Sequence, residues 1–307
     1  MKKYYPEGTI SENKSNKKYM ESINGLRECF FTEKILEAKA TLCDHEHNLH
    51  VDLGVIDGII PREECAIGIS DGSVRDIAII SRVNKPVCFK IIDFMDDEQG
   101  MRTAILSRRV VQEECMENYI KNLRAGDVVE ARITHNESFG SFCDIGCGIS
   151  ALLPIDSISV SRIPHPNVRF SVNTIIKAVV KSVDSLGRVT LSHKELLGTW
   201  EENAQNFKAG QTVGGIVRTI EKYGVFIELS PNLAGLAEYT DDVREGDSAS
   251  VYIKSINPEK MKIKLSIVDS FPDRNEQLPV KYYYDGNHID SWQYSPQISS
   301  KIIESIF

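Results

Sequence analysis

The sequence predicts an all-β protein of three small five-stranded barrels in tandem, and three observations carry that prediction. First, residues 126–154 align without a gap on residues 210–238, so the chain repeats itself. Second, the stretches 127–135, 139–145, 149–153, 174–183 and 187–192 are short, turn-bounded and rich in Val, Ile or Phe, which is the signature of strands. Third, the crossover from Ser157 to Phe170, with Pro164, His165 and Pro166, is too irregular for a long helix. Five short strands with one loose crossover suit a small closed barrel.

Taken in order, residues 1–32 are polar, with Tyr19, Ile23, Leu26 and Phe30 at helical spacing, and read as a flexible arm with a short helix. Residues 33–109 form a divergent first repeat: Ile35–Thr41 matches Val128–Thr134, and Leu106-Ser107-Arg108-Arg109 matches Leu191-Ser192-His193-Lys194. Residues 110–123 read as a linking helix, with Val111, Cys115, Tyr119 and Leu123 along one side. The second repeat occupies 124–194. A second linking helix is expected over 195–207, because Thr199-Trp200-Glu201-Glu202 spells a capping box. The third repeat runs over 208–268 and closes with Leu265-Ser266. The extension 269–307 holds Phe271, Tyr282, Tyr283, Tyr284, Trp292, Tyr294 and Phe307 and is expected to pack on the third repeat.

Composition narrows the class. With 307 residues, 41% hydrophobic and 26% charged, the chain can form two or three globular domains. No apolar run approaches the roughly 20 residues of a membrane span, and Met1-Lys2-Lys3-Tyr4-Tyr5-Pro6 lacks the apolar core of a secretion signal. A cytoplasmic location without a membrane partner is expected. Seven cysteines without a Cys-x-x-Cys pair read as reduced structural thiols. Alternation sets Cys43, His45 and His47 on one face, but no second pair follows at finger-like spacing, so neither metal nor cofactor is expected. Net charge is −8 and unevenly spread: −4 over 33–109, +2 over 122–194, zero over 205–268 and −3 over 269–307. The second repeat alone is net basic.

The candidate site begins at Phe139-Gly140-Ser141-Phe142. Alternation sends Cys143 and Ile145 inwards and Phe142 outwards; Phe139 is out of phase, and a bulge at Gly140 would bring both rings onto one face. Tyr223, Gly224 and Phe226 repeat the pattern in the third copy, whereas His47 and His50 stand in the first. A flexible nucleic-acid strand exposes base faces and phosphates, which call for flat π surfaces and cations. Arg132 has the outward parity of its strand, and Lys181, Arg188, His193 and Lys194 cluster late in the same repeat as candidate phosphate contacts.

Gly126-Asp127-x-Val129, Phe139-Gly140-x-Phe142, Ala151-Leu152-Leu153 and Lys181-x-Val183-Asp184-x-x-Gly187-Arg188-Val189-x-Leu191-Ser192 together resemble the S1 RNA-binding domain, and the tandem arrangement resembles the bacterial ribosomal protein S1 family. That resemblance implies an OB-fold per repeat, with single-stranded RNA across the second and third strands. It also implies a site of two stacking rings, a histidine on the third strand and an Asp…Arg pair at the last hairpin. Carried over, these are Phe139, Phe142, Asp184 and Arg188 in the second repeat, with Pro154 in the histidine's place. In the third they are Tyr223 and Phe226, with Glu238 for the histidine and Asn257 and Lys262 for the pair. The implied function is non-enzymatic: a protein of translation that holds messenger RNA. The ringless first repeat and the arm would dock on small-subunit ribosomal proteins, and the chain would be monomeric off the ribosome. The alternatives are a protein-interaction scaffold, or an RNA-binding regulator that visits the ribosome only in passing. No phosphate-binding loop, His-Glu-x-x-His or Gly-x-Ser-x-Gly motif proposes an enzyme.

Overall fold

A computed structural model describes residues 4–96, 102–272 and 278–307; residues 1–3 of the arm and 273–277 of the extension lie outside the described residues. The backbone builds three closed five-stranded barrels and a two-stranded sheet. The first barrel comprises β1 (Leu36–Cys43), β2 (Leu49–Asp52), β3 (Asp57–Ile60), β4 (Pro86–Asp96) and β5 (Arg102–Ser107). The second comprises β6 (Val128–Glu137), β7 (Gly140–Asp144), β8 (Ser150–Pro154), β9 (Ile175–Val183) and β10 (Val189–Ser192). The third comprises β11 (Thr212–Glu221), β12 (Gly224–Ser230), β13 (Leu233–Ala237), β14 (Ser248–Asn257) and β15 (Lys262–Phe271), and β16 (Ser291–Gln293) pairs with β17 (Glu304–Ile306) in the extension. The helices are α1 (Lys14–Met20), α2 (Ile23–Phe31), α3 (Ile77–Ile80), α4 (Arg109–Asn118) and α5 (Trp200–Ala204).

Each barrel closes the same way, its third strand running parallel to its fifth: Gly58 faces Ala104, Leu152 faces Thr190, and Leu236 faces Lys264. Alternation fills the interiors, with Ala131 and Ile133, Val225 and Ile227, or Ile263 and Leu265 buried on successive inward positions. The fold predicted from the repeats, three five-stranded barrels, is the fold observed.

The chain divides into two compact units. The first holds residues 1–123 together with Asp144–Ser150, and the second holds 124–143 and 151–307. In the first unit, residues 4–31 differ from the flexible arm expected of them. Glu7 is buried, and its carboxylate receives Arg108 Nε at 2.6 Å, Arg108 Nη2 at 3.0 Å and the Cys88 amide at 3.1 Å, with Arg82 3.3 Å away. Glu37 takes the amides of Gly8 and Ser11, and Asn16 exchanges hydrogen bonds with the Glu37 backbone. Asn13 and Ser22 cap α1 and α2. Burial works to raise the Glu7 carboxyl, but Arg108 and Arg82 outweigh it and hold it below the usual range. Asp144 accepts the Glu7 amide at 2.7 Å, and burial together with Glu7 pushes its carboxyl up. These anchors are polar groups whose partners lie far away in sequence, so hydropathy periodicity could not reveal them.

In the second unit the predicted capping box is present at Thr199 and Glu202. Asn232, fully buried at the β12–β13 turn, is a hub: its side chain accepts the Val160 amide and donates to the Lys194 and Gly198 carbonyls, while its own carbonyl accepts Tyr294 Oη. The expectation that the extension packs on the third repeat covers only part of its contacts. Tyr282 Oη accepts the Lys177 amide on β9 and meets His193 Nε2 at 3.3 Å, and His288 pairs with Asp127 at 2.7 Å, so the extension binds the second barrel as well.

Candidate nucleic-acid interface

The rings occupy equivalent places in the second and third barrels. Phe139 and Tyr223 sit in the tight turns that enter β7 and β12, exposed at 54% and 68%, while Phe142 and Phe226 are half-buried within those strands. In both copies the ring centroids are 6.0 Å apart and the planes cross at 88°. In the third barrel the pairing does not come from a bulge at Gly224. The β11–β12 register runs without a slip from Glu221↔Gly224 to Thr219↔Phe226, and the irregularity falls beyond it, at Arg218. There it is the turn that swings Tyr223 onto the side of Phe226. The glycines serve a close approach: a Cβ at Gly140 would lie 2.5 Å from the Leu153 carbonyl, and one at Gly224 2.4 Å from that of Ala237.

In the third barrel the register extends the ring surface sideways. Phe226 stands opposite Leu236, Leu236 opposite Lys264, and Lys264 opposite Ser255, one row across four strands. At about 4.8 Å per strand, Lys264 lies roughly 10 Å from Phe226, within reach of the phosphate of a base stacked on the ring. In the second barrel β8 lies between β7 and β10, so Leu152 and Pro154 separate the rings from the Asp184/Arg188 hairpin.

The predicted cations are placed unevenly. Arg188 is 77% exposed and pairs with Asp184 at 2.6 Å; that carboxylate also accepts the Leu186 and Arg188 amides, and these bonds hold its carboxyl low. Lys181 is exposed, with Nζ 3.4 Å from Ser157 Oγ, and Lys194 is half-buried. Arg132 donates from Nη1 to the Asn173 carbonyl at 3.0 Å. Asn257 faces Lys262 across the last hairpin of the third barrel, both exposed, and accepts the Lys260 amide. His193 is a correction. It is fully buried, packs edge-on against Phe170 and Tyr282, and points Nδ1 at the Ile158 carbonyl. Burial pushes its pKa down to about 4, so it is neither cationic at neutral pH nor accessible to a phosphate.

Two lysines escaped the sequence reading. The fourth strand of each barrel carries one bulged residue: Ile92 in β4, Lys181 in β9 and Lys254 in β14. A bulge re-aims its side chain, so Lys254 is the third barrel's counterpart of Lys181. It pairs with Glu238 at 2.9 Å, and this partner draws the Glu238 carboxyl below its ordinary value. The signal was available, since matching Asp184 to Asn257 already matches Lys181 to Lys254; the alternation Lys262-Ile263-Lys264-Leu265 likewise placed Lys264 outwards. In the first barrel, Asp44 binds His50 at 3.2 Å and takes the Glu46 and Asn48 amides, and His47 sits at φ +66° in the same turn, so no ring pair forms there.

Comparison with known proteins agrees with this geometry. The S1 RNA binding domain family matches residues 122–194, the second barrel with its ring pair. Over 302 residues the chain is 26% identical to the small ribosomal subunit protein bS1 of Staphylococcus aureus, covering 92% of this chain and 74% of that protein. It is 28% identical over 270 residues to the bS1 homolog of Bacillus cereus, covering 83% and 68%. A solved multidomain protein with nucleic acid binding domains from Streptococcus pneumoniae aligns over 77% of the chain at 13% identity and a TM-score of 0.25, too loose a likeness to carry an argument. The matched barrel is the one that carries Phe139, Phe142, Asp184 and Arg188. Among the described residues, no helix is long and apolar enough to cross a membrane.

Proposed function

We propose that this chain is a non-enzymatic, cytoplasmic, single-stranded RNA-binding protein of translation that holds messenger RNA through its second and third barrels. The observation that carries the proposal is the duplicated ring pair, one ring exposed and the other half-buried, with the same geometry in two barrels. Each base stacked on such a ring contributes about 1–3 kcal/mol and does so for any base, because every base has a π-face. Lys181 and Arg188 in one barrel, and Lys254, Lys262 and Lys264 in the other, supply the cations. With Pro154 and Glu238 where the family has a histidine, binding is broad in sequence. The first barrel, net acidic and without rings, takes the docking role with the arm, and the similarity to small ribosomal subunit proteins favours that subunit as the docking partner. Phe139→Ala with Phe142→Ala is expected to weaken binding of a single-stranded RNA at least tenfold, with the circular dichroism spectrum and melting temperature unchanged. Unaltered affinity in a folded double variant refutes the stacking assignment and favours a protein-interaction scaffold.

A further inference from the structure

The second barrel's crossover touches both ring-bearing strand pairs. On one side, Asn136, three residues before Phe139, donates from Nδ2 to Asn167 Oδ1 at 2.7 Å and to the Phe170 carbonyl at 2.8 Å, and Ser141 Oγ reaches Asn136 Oδ1 at 2.6 Å. On the other side, Arg169, between those two crossover residues, pairs with Glu228 on β12. Glu228 lies two residues beyond Phe226 and shares its outward parity, yet is fully buried, because Arg169 covers it and Arg218 binds its second oxygen at 2.6 Å. Two residues of extended chain span at most about 7 Å. The hairpin that carries Phe139 and the strand that carries Phe226 are therefore fastened to points on the crossover only two residues apart.

The fastening resists slippage. The Arg169 side chain is wholly buried, and removing one partner of a buried ion pair strands the other charge. The Asn232 hub repeats the tie, bonding the crossover at Val160 and the linker at Lys194 and Gly198 to the β12–β13 turn.

We infer that the two ring pairs form one composite site for a single continuous RNA strand, and that Arg169 is the positioning residue that sets their spacing. The inference rests on the RNA-binding reading above and adds to it a length requirement. When two modules share a ligand, the second engagement is intramolecular, and a fixed, matched spacing makes its effective concentration high; a slack connection dilutes it. A strand that fills one barrel gains nothing from Arg169, whereas one that reaches both does.

The test compares fluorescently labelled RNAs of about 5 and about 14 nucleotides, the shorter near the lower limit for one OB-fold, on the full chain and on Arg169→Ala, Arg169→Met and Arg169→Lys. In the unaltered protein the longer RNA is expected to bind about 100-fold more tightly than the shorter. In Arg169→Ala and in Arg169→Met, which keeps most of the side-chain volume, that gain is expected to fall at least tenfold while the affinity for the short RNA stays the same. Arg169→Lys, which can still reach Glu228 as a point charge, should recover part of the gain. A gain that survives in both neutral variants overturns the inference, and so does an equal loss at both lengths, which would make Arg169 a matter of general stability. If the unaltered chain binds neither RNA, the RNA-binding reading itself falls and this inference falls with it; if it binds both and only the length effect is indifferent to Arg169, the reading stands without the composite site.

Discussion

His193 and Lys194 are neighbours in the chain and belong to different environments: the first is sealed between Phe170 and Tyr282, the second is half-buried at the start of a 3-10 turn. The burial of His193 has a pH consequence whose sign follows from its lowered pKa. Because the folded value, about 4, lies below the ordinary 6.5, the unfolded chain takes up the proton first. This site's contribution is flat above about pH 6.5, and stability falls as pH drops from there towards 4, by roughly 3 kcal/mol in total at 1.36 kcal/mol per pKa unit. Urea unfolding of the chain and of His193→Gln at pH 7 and 4.5 should show the variant losing less stability between the two; equal losses would contradict the assignment. The ring residues, by contrast, were readable at this scale, because alternation fixes the parity of Phe142 and Phe226 and the repeated aromatic-Gly-x-aromatic pattern gives each its companion in Phe139 and Tyr223. Alternation could not show what covers an outward side chain. Glu228 has the same parity as Phe226 and is buried because Arg169 and Arg218 cover it.

Among the elements, the amino-terminal segment departs most from its hydropathy. Its polar residues read as a solvated arm, yet Glu7 sits at the centre of a buried network with Arg108, Arg82 and the Cys88 amide. Replacing one partner of such a network strands the other charge, which costs about 3–5 kcal/mol. Glu7→Gln is therefore expected to lower the unfolding midpoint of the first unit and to speed hydrogen exchange at β4 amides, Cys88 first. An unchanged midpoint would show that the arm contributes nothing to that unit. The strands were legible to within a residue or two, as Gly140–Asp144 and Ser150–Pro154 show. The fourth-strand bulges were not, because a bulge is a property of register between two strands rather than of either strand's composition; once seen, the bulges at Lys181 and Lys254 explain why both lysines face outwards.

For the whole molecule, a net charge of −8 and an RNA-binding reading are compatible because charge is sorted by region: the first repeat and the extension are acidic, while outward lysines and Arg188 gather on the second and third barrels. Binding should then weaken with salt in proportion to the phosphates contacted, with a slope of about −0.7 in log K per log salt for each contact on a single strand. Lys262→Ala with Lys264→Ala is expected to flatten that slope by about 1.4, two contacts' worth, in titrations at several salt concentrations. A slope indifferent to both lysines would remove them from the interface. By itself the sequence determined the all-β class, the threefold repeat, the ring pairs and the sparing of the first copy, since each rests on local periodicity or on comparison of one repeat with another. Only the tertiary structure decided that the arm is an anchor, that His193 is interior, that the extension binds two barrels and that Arg169 ties one ring pair to the other. Those outcomes depend on which distant polar group meets which, and no periodicity along the chain encodes that choice of partner.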